Sequence, residues 1–187
     1  SQGLKVDSWF AITSTDLVDD VFIVNEANEC LFTNSKALGL SVGTSNKVGF
    51  HIGKTALAQG IILVGCSAAH LVNGTGIKYN TCAENTSTDA RFYSTVALHA
   101  RFGASLGCGI RTNENPSVTF DAASVNCWVE GSNNAALPAA VTDNSTTATV
   151  STKYKGGVVN NAGIWTPVCT DGTNNATLSS VFGYYER

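Results

Sequence analysis

Charge is what this chain has least of. Only 13% of its 187 residues are charged and the formal net charge is −3, where soluble proteins carry roughly 25% charged residues. The few Lys and Arg residues are scattered, with no basic run. That excludes a general affinity for nucleic acid, which needs a dense cationic surface to displace counterions. No apolar run approaches the roughly 18 residues of a membrane-spanning helix. The start lacks the basic stretch and apolar core of a secretory leader, so the expectation is a soluble domain read after any leader has gone. Methionine is also missing, which fits such processing. Disorder is excluded from the other side: 43% of the residues are hydrophobic, and disordered chains combine low hydrophobicity with high net charge.

Metal-binding cysteine spacing is absent too. Cys30, Cys66, Cys82, Cys108, Cys127 and Cys169 form no CxxC pair, and no histidine stands at zinc-finger distance. The preferred reading is three disulfides in an oxidising compartment, against buried free thiols that pack as small hydrophobes. Pairing of neighbours, 66 with 82 and 108 with 127, closes the shortest loops. Four sequons, at Asn73, Asn85, Asn144 and Asn175, are acceptors for glycosylation if the host supplies it. An extracellular or cell-surface home follows as an expectation.

A phosphate loop is nearly present and then fails. "VGFHIGKT", residues 48–55, ends in the Gly-Lys-Thr of a P-loop. The spacing needs glycine where Val48 stands, because backbone N–H groups must wrap the phosphates before a helix begins. Gly60 then interrupts any helix after Thr55. A glycine-rich turn is the better reading, and no nucleotide or other cofactor is expected.

What the chain does have is strand signal. "DDVFIVNE", "GIILVGCS", "RFYSTVALHARFG", "SVTFDAASVNCWVE" and "ATLSSVFGYY" carry β-branched and aromatic residues, many at period two. Gly and Asn clusters separate them. "TDLVDD" and "GKTALAQGI" offer at most a helical turn each. The expectation is one all-β or mainly-β domain over residues 1–187, a sandwich, jelly roll or barrel of many short strands. No repeat of fixed period is evident, and residues 130–146 read as a long surface segment.

Candidate chemistry is sparse. His51, His70 and His99 are too far apart in sequence for a local metal signature, and would make a site only by converging in space. No G-x-S-x-G elbow exists, so catalysis is not expected, although a spatial triad needs no sequence motif. Asp16, Asp19 and Asp20, near Glu26 and Glu29, are the densest acidic cluster. With "DGTNN" at 171–175 they offer oxygen ligands outside any calcium-hand pattern; exposed turns are the preferred reading, and no metal is expected. Trp165 and Tyr154 are candidate sugar-stacking rings. Trp128, beside Cys127, is expected to pack on a disulfide.

Three functional classes remain. A β-rich body with few charges suits a structural subunit of an extracellular fibre, coat or shell, whose surface meets copies of itself without desolvating many charges. The terminal segments "SQGLKVDSWFAI" and "SSVFGYYER" are the expected strand-adding contacts. A secreted carbohydrate-binding module is the alternative, and a secreted hydrolase the third. Expected partners are copies of the chain and glycans, with neither nucleic acid nor membrane insertion.

Overall fold

The computed structural model describes residues 2–13, 20–39, 47–71, 73–92, 96–112, 117–131, 141–145, 147–152, 156–159 and 165–166. Among these there are strands, bends and turns but no helix. The all-β expectation of many short strands is met.

The strands wind as successive turns of one coil. The first turn holds β1 (Lys5–Asp7), β2 (Phe10–Thr13), β3 (Phe22–Val24) and β4 (Ala27–Asn28). The second holds β5 (Leu31–Thr33), β6 (Lys36–Gly39), β7 (Val48–Ile52) and β8 (Ala58–Gln59). The third holds β9 (Ile62–Val64), β10 (Ser67–Ala69), β11 (Gly74–Tyr79) and β12 (Cys82–Ala83). In the fourth, β13 (Thr86–Phe92) runs through a corner to β14 (Val96–Phe102) and β15 (Ser105–Leu106). Then come β16 (Gly109–Thr112) and β17 (Val118–Phe120), and β18 (Trp128–Gly131) and β19 (Val141–Asp143). Finally β20 (Thr149–Thr152) is followed by β21 (Gly156–Val159) and β22 (Trp165–Thr166).

Up to β20 the strands pair in parallel with their counterparts in the neighbouring turn: Lys5 with Leu31, Leu31 with Ile62, Ile62 with Thr86, Thr86 with Gly109, Gly109 with Trp128 and Trp128 with Thr149. This is a parallel β-solenoid, in which each turn contacts mainly its neighbours. The strands therefore climb turn upon turn, where an antiparallel sandwich or jelly roll would fold them back. Only at the end does the pairing reverse, with β21 antiparallel to β20 and β22 antiparallel to β21.

The corners explain how short strands close a turn. Glu29, Gly60, Glu84, Gly107 and Asn126 stack in one column, and all have φ between 52° and 65°. Each of Glu29, Gly60, Glu84 and Gly107 donates its N–H to a carbonyl of the next turn. A second column, Ser8, Asn34, Gly65 and Asp89, does the same at the next corner for Ser8, Asn34 and Gly65. One left-handed residue swings the chain without breaking the ladder.

Inside, like side chains stack at the rise between turns. Val24, Ile52, Tyr79, Phe102 and Phe120 are in register, with the Phe102 and Phe120 rings 4.8 Å apart and Phe22 on Phe50 at the same distance. Parallel strands lie about 4.7–4.9 Å apart, so ring stacking and backbone pairing share one spacing. Each fully buried aromatic of this kind contributes about 1.5–3 kcal/mol. The buried side chains from Val24 to Ala148 form one continuous cluster.

Candidate functional site: the first turn and its polar corner

The first turn differs from those stacked on it. Its strands β1 to β4 pair with β5 to β8 on one side; on the other side β4 is bridged at Asn28 by the Gln2–Gly3 segment, and no described residue pairs with β1, β2 or β3. An unpaired strand edge is a template for another chain. The same turn carries Leu4, Trp9, Phe10 and Ile12, with Trp9 64% and Phe10 57% exposed. Alternation along β2 is the cause. Ala11 stands beside Ala37 and faces inward, so Phe10 and Ile12 must face out, beside Lys36 and Leu38. The Lys36 ammonium lies 5.9 Å from the centre of the Phe10 ring, close enough for a cation–π contact. At the opposite end, β21 lies antiparallel along β20. One end of the main sheet thus finishes on a parallel strand, β1, and the other on the antiparallel strands β21 and β22.

Next to the open turn is a polar cleft of about 260 Å³, lined by Gln2, Asn28, Glu29, Gln59, Gly60 and Glu84. The first corner column builds it, because the chain's bend at Glu29, Gly60 and Glu84 turns their neighbours outward. The Gln59 amide donates to Glu84 at 3.1 Å. Glu29, expected in an acidic cluster with Asp16, Asp19 and Asp20, belongs instead to this corner; Asp16 and Asp19 lie outside the described residues.

Asp20 has a different task. Its Oδ1 accepts the Val48 N–H at 2.8 Å, while Oδ2 faces His51 Nδ1 at 2.6 Å and Lys54 Nζ at 3.0 Å. Burial works to raise its pKa, but the hydrogen bonds from His51, Val48 and Lys54 outweigh it and hold the carboxyl well below the usual range. So the lysine of the P-loop-like tail is tied to a carboxylate. Gly53, with φ 70°, turns the chain directly after β7, and a Cβ there would lie 2.2 Å from the Thr81 carbonyl oxygen.

The histidines occupy separate places. His51 pairs with Lys78 and Lys78 with Arg101, so His99 is two strands across, about 9.5 Å, and two residues along. His99 stacks on Phe92 at 4.6 Å and accepts the Ser117 N–H at Nδ1; burial lowers its pKa to about 4. His70 is exposed at a corner with φ 56°. No metal-holding group of three His, Cys, Asp or Glu residues exists among the described residues.

Several expected sites move. Asn85 is fully buried, its Oδ1 accepting the Ile61 N–H at 2.6 Å and its amide donating to the Ala58 carbonyl at 3.1 Å. That corrects its assignment as a glycan acceptor, since the folded wall leaves no room for a sugar there. Asn73 and Asn144 are exposed. Trp128 faces away from the core and covers Gly109, while its neighbour Cys127 faces inward; the expected packing of this indole on a disulfide is corrected. Trp165 falls in β22, and Tyr154, Asn175, Cys169 and residues 171–175 lie outside the described residues.

Cys30, Cys66, Cys82, Cys108 and Cys127 are buried and unlinked. Cys66 is aligned with Ser35 and Ala90, whereas Cys82 is aligned with Ala58 and Ser105. The two lie at different corners, which corrects the 66-with-82 pairing. No helix among the described residues is long and apolar enough to cross a membrane.

Comparison with protein-family models, with curated proteins and with solved structures finds no match.

Proposed function

We propose that the chain is a structural subunit that joins copies of itself through its first turn, as part of an extracellular fibre, coat or shell. The observation that carries this reading is the coincidence, on one turn, of an unpaired parallel edge with exposed Trp9, Phe10 and Ile12. Contact with a second copy would bury apolar surface and supply backbone partners together. Few charges would need desolvation, because so few exist. A contact that uses the first turn of both copies would be a self-complementary interface around a two-fold axis.

The test is sedimentation velocity and negative-stain microscopy of the chain beside a Trp9→Lys/Phe10→Lys/Ile12→Lys variant. Dimers or ordered assemblies in the parent and monomers in the variant, with the same circular dichroism, support the reading. A parent that stays monomeric at high concentration overturns it.

A second reading rests on the polar cleft. Carboxylates and amides at Glu29, Glu84, Gln59 and Asn28 suit the hydroxyls of a sugar, the binding-module alternative. Glycan-array binding lost in a Glu29→Ala/Glu84→Ala variant supports it, and an array without binding removes it.

A further inference from the structure

We propose that Cys82 and Cys108 are a redox pair that closes to a disulfide joining two turns of the solenoid, while Cys127 stays a thiol. Their sulfurs lie 3.5 Å apart in the buried interior. A disulfide needs about 2.05 Å between sulfurs, so side-chain rotation with a small backbone adjustment closes the gap.

The position of the pair comes from the corner itself. On either side of the left-handed residue two side chains point inward: Cys82 and Asn85 around Glu84, Ser105 and Cys108 around Gly107, Ser124 and Cys127 around Asn126. The first inward residue of one turn meets the second inward residue of the next. Cys82 thus meets Cys108, and by the same diagonal Ser105 Oγ meets Cys127 Sγ at 3.3 Å. One turn earlier the same relation joins Ala58 to Asn85, whose amide donates to the Ala58 carbonyl. Cys127 is aligned with Cys108 and shares a hydrogen bond with its thiol, but its sulfur sits at 3.3 Å from the Ser105 hydroxyl, whereas the close sulfur–sulfur approach of 3.5 Å is that of Cys82 with Cys108. Cys30 and Cys66 direct their thiols at the carbonyls of Asn28 and of Phe32.

The chemistry requires a two-electron oxidant, and a small-molecule disulfide RSSR supplies it. The Cys82 thiolate attacks one sulfur of RSSR, forming a mixed disulfide and releasing RS⁻. Cys108 then loses its proton and attacks the Cys82 sulfur, and the second RS⁻ leaves. Protein dithiol and RSSR become protein disulfide and two RSH. Either thiol can attack first without changing this balance; in the closed corner the two differ. The hydrogen bond with Cys108 lowers the pKa of Cys82. Cys108, although Cys127 works downward on it, is pushed up to about 12 by Cys82 and by burial. Both sulfurs are sealed in the folded wall, so exchange takes place while the corner closes during folding.

The experiment refolds the full chain in oxidised and reduced glutathione, quenches with acid, alkylates and maps the peptides. The expected result is a Cys82–Cys108 cross-link, with Cys127, Cys30 and Cys66 alkylated and a higher urea midpoint than the reduced chain. Cys127→Ser keeps the cross-link, and Cys82→Ser abolishes it with unchanged circular dichroism. Ser105→Cys is expected to add a second cross-link, to Cys127, by the same diagonal. Alkylation of both Cys82 and Cys108 in the oxidised chain, or a Cys108–Cys127 cross-link instead, overturns the proposal.

Discussion

Trp128 lies over Gly109 of the preceding turn, so closely that a Cβ on Gly109 would come within 1.8 Å of the indole Cε2. The two residues are direct partners in the β16–β18 ladder. Glycine is therefore required at 109 by the ring above it. At 107 it is favoured for another reason, a φ of 61° with open space around the missing Cβ.

These two causes separate by mutation. Gly109→Ala should destabilise by about 1–3 kcal/mol through overpacking, and Gly107→Ala by about 1 kcal/mol through backbone strain. Against a Trp128→Ala background the first cost should largely vanish and the second persist. Urea denaturation of the single and double variants measures both.

Asn85 should be among the least replaceable polar residues. Asn85→Ala leaves the Ile61 N–H and the Ala58 carbonyl without their partner inside the wall, at a cost of about 2–4 kcal/mol. The check is the shift of the urea midpoint. When the chain is made in a glycosylating host, peptide mapping should find Asn85 bare.

Acid should act in two stages. Burial holds the pKa of His99 down at about 4, below the ordinary histidine value of about 6.5. The unfolded chain binds the proton more readily, so stability is full above about pH 6.5 and falls as pH drops toward 4. Protonation also ends the hydrogen bond that Nδ1 accepts from Ser117. Asp20 is likewise shifted downward, by its hydrogen bonds against the effect of burial, so its contribution holds above the unfolded pKa and fades as pH falls below about 4. His99→Gln should flatten the first stage and Asp20→Asn the second, in urea midpoints measured from pH 7 to pH 3.

The turns of the solenoid were partly written in the sequence. Ala27-Asn28-Glu29-Cys30, Ala58-Gln59-Gly60-Ile61, Cys82-Ala83-Glu84-Asn85, Ser105-Leu106-Gly107-Cys108 and Ser124-Val125-Asn126-Cys127 share one form. A small inward residue is followed by an outward one, a left-handed one and a second inward one. Two features hide it. The turns differ in length, from 19 residues between Gly109 and Trp128 to 31 between Leu31 and Ile62. Glutamate also stands at two of the left-handed positions, where glycine or asparagine would have signalled a bend.

By itself the sequence determined the strand content, because β-branched and aromatic residues at period two, cut by Gly and Asn, leave no room for a helical face. It also determined the small negative net charge. Tertiary structure alone decided that the strands pair in parallel with the next turn. Alternation tells which side chains face inward but not which strand lies alongside. The same holds for the sites. Cys82 meets Cys108, and Asp20 meets His51 and Lys54, because turns of unequal length are brought into register by their corners, and no spacing along the chain records that register.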